Sequence, residues 1–275
     1  MRAMPNPYSI VVSSQKGGVG KTTISVNLAT SLRQVGYKVL VVDADYSNPS
    51  VGFHLGLQET NAGVSAVIEG RAKLADTVAV HNPTGLHVLT GEISTKGFHL
   101  DERQENKLKD QLEKSNYNFV VIDMPPGAMR LEEVEPFFYK NSCEVLIVLT
   151  PEMAACASAI RLAKIYEKIR VPHSMVANKV KNKGYELGIS EIEDAVGESL
   201  IATLPEDENV PVSIAQHIPV LLMNSKAPFS RGIKRLTRRI SNRVDYEPEG
   251  EPLDRGGFMA WLRRLFFRRG GFSPR

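Results

Sequence analysis

Residues 8–23 read YSIVVSSQKGGVGKTT, and this stretch decides what the rest of the chain has to build. Its first half is a short apolar, β-branched run, and its second half sets three glycines around a lysine before two threonines. The pattern predicts a strand, a tight loop and then a helix over NLATSLRQVGYK. Backbone N–H groups of Gly17, Gly18, Val19, Gly20 and Lys21 would line that loop at a helix N-terminus, where free donors and the helix dipole both favour anions. In a phosphate-binding loop of this form Lys21 reaches the β- and γ-phosphates of a nucleotide. Thr22 holds Mg²⁺ through its hydroxyl, and Thr23 adds an α-phosphate contact. A second lysine, Lys16, lies five positions earlier, and one loop has no obvious use for it.

Further short apolar runs follow at 38–45, 85–91, 118–124, 144–150, 174–180 and 198–205, with helical patterns between them. They do not alternate polar and apolar residues, as strands covered on both faces should not. The expected fold is therefore α/β, a doubly wound and mainly parallel sheet with helices on both faces. Ligands are expected at the carboxyl ends of its strands. At 275 residues with 42% hydrophobic composition, one large domain over residues 1–243 can form a sizeable core.

The formal charge of +3 is unevenly spread. Residues 226–275 hold 13 Lys and Arg against 5 Asp and Glu, which leaves 21 against 26, a net −5, for residues 1–225. Any acidic partner is to be sought at the C-terminal end. Cys143 and Cys156 form no C-x-x-C pair, so a cytoplasmic, reduced protein without a cysteine-held cluster is expected. No signal-peptide pattern and no membrane-spanning run is evident.

Residues 244–257, VDYEPEGEPLDRGG, read as a linker rich in Pro, Gly and acid. Beyond it, FMAWLRRLFFRR at 258–269 places Phe258, Trp261, Leu262, Leu265 and Phe266 on one helical face, with arginines flanking them; Phe267 falls off the stripe. Aromatic depth with arginine flanks predicts an amphipathic helix lying on an anionic membrane surface, while packing on the protein's own core or a dimer contact stay open. The basic segment with Lys226, Arg231, Lys234, Arg235, Arg238, Arg239 and Arg243 offers another route, nonspecific DNA binding. Alternatively it is a solvated helix with Ile233, Leu236, Thr237 and Ile240 as its inner stripe.

KGGVGKTT, with Gln15 where a common phosphate loop has its first glycine, resembles the deviant Walker A motif of the MinD/ParA family of ATPases. The likeness extends over most of residues 8–243. The resemblance implies an ATPase using ATP and Mg²⁺, and a homodimer in which Lys16 reaches the phosphates bound by the partner subunit. It implies that Lys16, Lys21 and Asp45 are catalytic, with Asp45 at the start of the first switch acting on the attacking water. Asp43 supports the magnesium shell, although capping a turn suits it equally. Asp123, at the end of NFVVIDMPPG, matches the Walker B acid that holds a magnesium-bound water, and Gly127 offers its N–H to the γ-phosphate. Asn178 and the loop Pro205, Glu206, Asp207 resemble the adenine pocket, although Asn178 can equally end a strand and Pro205 start a helix.

MinD-type members carry a membrane tail, whereas ParA-type members, to which Gln15 is closer, bind DNA. The expected partners are thus a second copy, an anionic membrane at the inner face of the cell membrane, and an activating or cargo protein. Nonspecific DNA remains the alternative.

Overall fold

A computed structural model describes residues 6–45, 48–57, 63–91, 102–127 and 142–248. The expected linker is covered only to Pro248, and the amphipathic helix at 258–269 lies outside the described residues. Strand β1 (Tyr8–Ser13) leads through the glycine loop into α1 (Lys21–Val35), followed by β2 (Val39–Asp43) and the short helices α2 (Val51–Leu55), α3 (Val64–Ile68) and α4 (Leu74–Thr77). Strands β3 (Ala79–His81) and β4 (Leu86–Leu89), helix α5 (Glu102–Glu113), and strands β5 (Phe119–Asp123) and β6 (Cys143–Leu149) follow. Then come α6 (Met153–Lys168), β7 (His173–Val180), α7 (Ile189–Val196), β8 (Ala202–Pro205), α8 (Asn209–Ala215), α9 (Val220–Met223) and α10 (Pro228–Ser241).

The eight strands form one sheet in the order β3-β4-β2-β5-β1-β6-β7-β8, parallel throughout except for the β3–β4 pair. Both faces are covered. On one face Ile10, Val12, Val41, Val121 and Val148 pack with Ile24, Leu28 and Leu32 of α1 and Phe229, Ile233, Leu236 and Ile240 of α10. On the other, Val11, Leu40, Val120 and Ile147 pack with α3, α5, α6 and α7. Neighbouring residues in one central strand serve opposite cores, so the apolar runs of β1, β2, β5 and β6 do not alternate with polar residues.

Helix α1 is rich in polar residues and nevertheless buried from Thr23 to Leu32. It tolerates this because its hydroxyls and amide bond inside the helix or to neighbours. Ser25 Oγ lies 3.0 Å from the Lys21 carbonyl, Asn27 Nδ2 2.8 Å from that of Thr23, and Thr30 Oγ1 2.7 Å from that of Val26. Asn27 Oδ1 also accepts the Leu221 N–H at 3.1 Å and so ties α9 down. Gly36 (φ 111°) ends the helix in the left-handed conformation.

The basic segment forms α10, with Ile233, Leu236, Thr237 and Ile240 all buried. Several of its cations hold the fold together. Arg239 donates to the Leu200 and Ile201 carbonyls, Lys234 Nζ to that of Ser225 at 2.8 Å, and Arg243 to Glu144 and Ser174. Beyond α10, the Tyr246 ring stands edge-on to Phe119 with centroids 5.7 Å apart, and its carbonyl accepts the Tyr37 hydroxyl at 3.3 Å. This latch closes the chain over the amino ends of β1, β2 and β5.

Candidate nucleotide and magnesium site

At the opposite end of the sheet, where β1, β7 and β8 finish, a cavity of about 520 Å³ opens. Its lining brings together Gly17, Gly18, Gly20, Lys21, Thr22 and Thr23 with Asn178, Pro205, Glu206 and Asp207. These are the residues expected to hold phosphates and those expected to hold a base, although they lie more than 150 positions apart in the chain. The far wall is apolar, with Val210, Pro211 and Ile214 of α8 and Phe229 at the start of α10.

Gly18 (φ 74°) and Gly20 (φ 96°) both occupy the left-handed region. At Gly20 a Cβ would also stand 2.4 Å from Asn178 Nδ2. Asn178 is buried, and that nitrogen donates to the Val19 carbonyl at 2.8 Å. Its role in this structure is therefore to brace the loop from behind. Lys179 Nζ adds a bond to the Gly18 carbonyl at 2.7 Å.

Lys21 is buried at the mouth of α1; desolvation lowers its pKa, against the pull of Asp123 and Asp45. The Thr22 hydroxyl donates to Asp123 Oδ2 at 2.5 Å and lies 2.8 Å from Ser50 Oγ, while Ser25 Oγ is 2.9 Å from Asp123 Oδ1. Asp43 and Asp123 are in-register neighbours on β2 and β5. Burial pushes the Asp43 carboxyl up to about 7, and the adjacent Asp123 pushes the same way. Burial also raises Asp123, to about 6, against the Thr22 and Ser25 hydroxyls and Lys21. The donor set is hard oxygen and the buried carboxylates are short of positive charge, so Thr22 and Asp123 fit a hydrated magnesium ion.

Of the two roles expected for Asp43, its hydrogen bonds are those of a turn cap. Its carboxylate accepts the backbone N–H groups of Ser50 (2.8 Å), Val51 (2.9 Å) and Asp45 (3.2 Å), so it holds Asp45 and the start of α2. Asp45 sits beside it, also buried, and its Oδ1 accepts the Asn48 N–H at 3.0 Å. Gly127 (φ 76°) differs from its expected role: the N–H expected to meet a γ-phosphate donates to the Ser14 carbonyl at 2.9 Å, because the Pro125–Pro126 turn folds back onto the end of β1.

Asp207 is likewise committed. Although burial pushes its carboxyl up, bonds from the Asn209 side chain and from the backbone N–H groups of Phe229 and Asn209 hold it below the usual range. It anchors the starts of α8 and α10. Glu206 pairs with Lys181 at 3.4 Å on the rim. Lys16 is not part of the cavity lining. Its side chain is 39% exposed and reaches outward to Glu152, 4.0 Å away.

Sequence reasoning missed three participants. Ser25 carried a signal, since it lies one turn after Lys21 on the same helix face. Ser50 could be read only as a helix start, and Lys179 acts through a positive φ of 57° that composition does not reveal.

A glycine loop between a central strand and a helix, with a hydroxyl–carboxylate pair beneath it, defines a P-loop nucleotide-binding protein. Residues 8–179 match the profile of the AAA domain family. An uncharacterized ATP-binding protein of Methanocaldococcus jannaschii is 30% identical over 261 residues, spanning 94% of this chain and 97% of that one. A putative septum site-determining protein MinD of Mesostigma viride is 31% identical, spanning 86% of this chain and 85% of that one. The MinD cell division protein of Aquifex aeolicus superposes with a TM-score of 0.73 at 25% identity, covering 87% of this chain and 98% of its own. The Pyrococcus horikoshii septum site-determining protein MinD, in complex with Mg-ADP, gives a TM-score of 0.74 at 21% identity over 87% of this chain and all of that one. The chain belongs to the MinD/ParA family of P-loop ATPases.

Proposed function

We propose that this ATPase is a MinD-type switch. ATP and Mg²⁺ occupy the 520 Å³ cavity, two copies meet across their loop faces, and the helix at 258–269 attaches the pair peripherally to anionic membrane. Hydrolysis then releases the pair, and an activating or cargo protein sets where this happens. The observation that carries the reading is the contrast between the two lysines: Lys21 is buried in its own site, whereas Lys16 stands outside the cavity at an exposed lip. A cation there serves a neighbour's phosphates and makes hydrolysis depend on assembly.

Within one site, Thr22 and Asp123 would hold the magnesium ion, which screens the phosphates' negative charge when bound. Lys21 and the Gly17–Lys21 amides would fix the phosphates. Asp45 would orient the attacking water, and the base would lie between Pro205 and the apolar residues of α8. One membrane helix binds weakly, and pairing two raises attachment through effective concentration.

Two measurements test this. Asp45→Ala should form ATP-dependent dimers by size exclusion with light scattering, whereas Lys16→Ala should not; both should lose hydrolysis. In sedimentation with anionic vesicles, ATP should drive binding only when residues 251–275 are present. Sedimentation indifferent to nucleotide, with ATP-dependent and salt-sensitive retention on DNA, would replace this reading with the ParA-type one. The engagement of Lys234, Arg239 and Arg243 within the fold weighs against DNA binding by α10.

A further inference from the structure

A second cavity is larger than the nucleotide site. It lies at the amino ends of β2, β4 and β5, has a volume of about 1110 Å³, and is lined by five cations, Arg33, Lys38, Arg71, Lys73 and Lys114, against one carboxylate, Asp76. Arg71 pairs with Glu69 and Lys114 with Asp110 at exposed positions. The lining is therefore predominantly cationic, in a body whose first 225 residues carry −5. Exposed pairs of this kind contribute little and exchange readily for another anion. Val39, Leu74 and Tyr117 add apolar lining.

The chain itself delivers anions to this place. Tyr246 is latched to Tyr37, the residue before Lys38, and to Phe119, two residues after Tyr117. Directly beyond the latch come Glu247, Glu249, Glu251 and Asp254, four carboxylates in eight residues, with prolines at 248 and 252. An extended chain covers roughly 3.3 Å per residue, so these eight residues reach about 26 Å from the latch.

We propose that the cationic cavity is a site for an acidic peptide and that its occupant is this chain's own segment 247–254. Docked there, the segment would fix how far residues 258–269 stand from the body. An anionic surface would compete for the same cations, so approach to it would loosen the tether. The contact does not depend on the membrane reading of 258–269; only this consequence rests on it.

Hydrogen–deuterium exchange on the full chain, without nucleotide or lipid, tests the contact separately from that reading. At 50 mM NaCl the amides of 247–254 should exchange at least about tenfold more slowly than an unstructured peptide. The protection should vanish at 500 mM NaCl. It should also vanish in the Lys38→Glu/Lys73→Glu variant, and return when Glu249→Lys/Glu251→Lys/Asp254→Lys is added to it. Unaltered exchange in β1 and β5 verifies that the variants fold. Exchange of 247–254 at the unstructured rate in the unsubstituted chain overturns the proposal, as does protection that ignores the charge reversals. Cavity residues protected by vesicles of anionic lipid while 247–254 stays unprotected throughout would also overturn it, in favour of a headgroup site.

Discussion

At Gly20 two demands meet, a left-handed backbone and a Cβ direction already filled by Asn178. Gly20→Ala should therefore cost about 1–3 kcal/mol in urea unfolding. Gly17→Ala, where nothing lies within 4 Å of the added carbon, should stay within about 0.5 kcal/mol. His81 is buried, with Nδ1 2.7 Å from Thr84 Oγ1, and desolvation lowers its pKa to about 4, against a hydrogen bond to the His217 backbone. The unfolded chain binds that proton from about pH 6.5 downward and the folded chain does not, so stability falls on acidification from about 6.5 to about 4. The loss approaches about 3 kcal/mol, and His81→Leu should flatten that part of the pH profile measured by denaturation. If Thr22 and Asp123 hold magnesium, Thr22→Ala and Asp123→Asn should weaken nucleotide binding about tenfold or more in Mg²⁺, read by titration calorimetry. Neither should matter in EDTA.

Among the elements, α10 depends on its end as much as on its apolar stripe. Glu144 is 1% exposed and is met by Arg243 and, at 3.4 Å, by the Tyr8 hydroxyl. Arg243→Ala leaves a buried carboxylate short of a partner and should cost about 2 kcal/mol, much of it regained in Arg243→Ala/Glu144→Gln. A double-mutant cycle in urea measures this.

The strands that were legible share one property: each carries an apolar run, and the central ones lie between the two cores. Strand β3 escaped because its three residues, Ala79–His81, pair antiparallel at the margin and only His81 is buried. The run at 198–205 likewise narrows to Ala202–Pro205. The phosphate loop was legible because its glycines and threonines are contiguous. The bonds of Asp207 and Asn178 were not, because they go largely to backbone groups whose positions only the folded chain sets, whereas turn capping by Asp43 was one of its two expected roles.

On the scale of the whole molecule, both cores close within residues 6–248. A chain ending at Gly250 should melt within about 2 °C of the full chain by calorimetry, while losing any vesicle binding. The two cavities sit at opposite ends of the sheet, with α1 running between them: Lys21 at one, Arg33 at the other, about 18 Å apart along the helix. The margins of the same sheet are formed by β3, three residues long, and β8, four residues long. Among the described residues, so little backbone at either rim is a poor template for another sheet, which disfavours growth of copies side by side into an open-ended ribbon. The pairing proposed above, through one self-complementary face, would close on itself at a count of two.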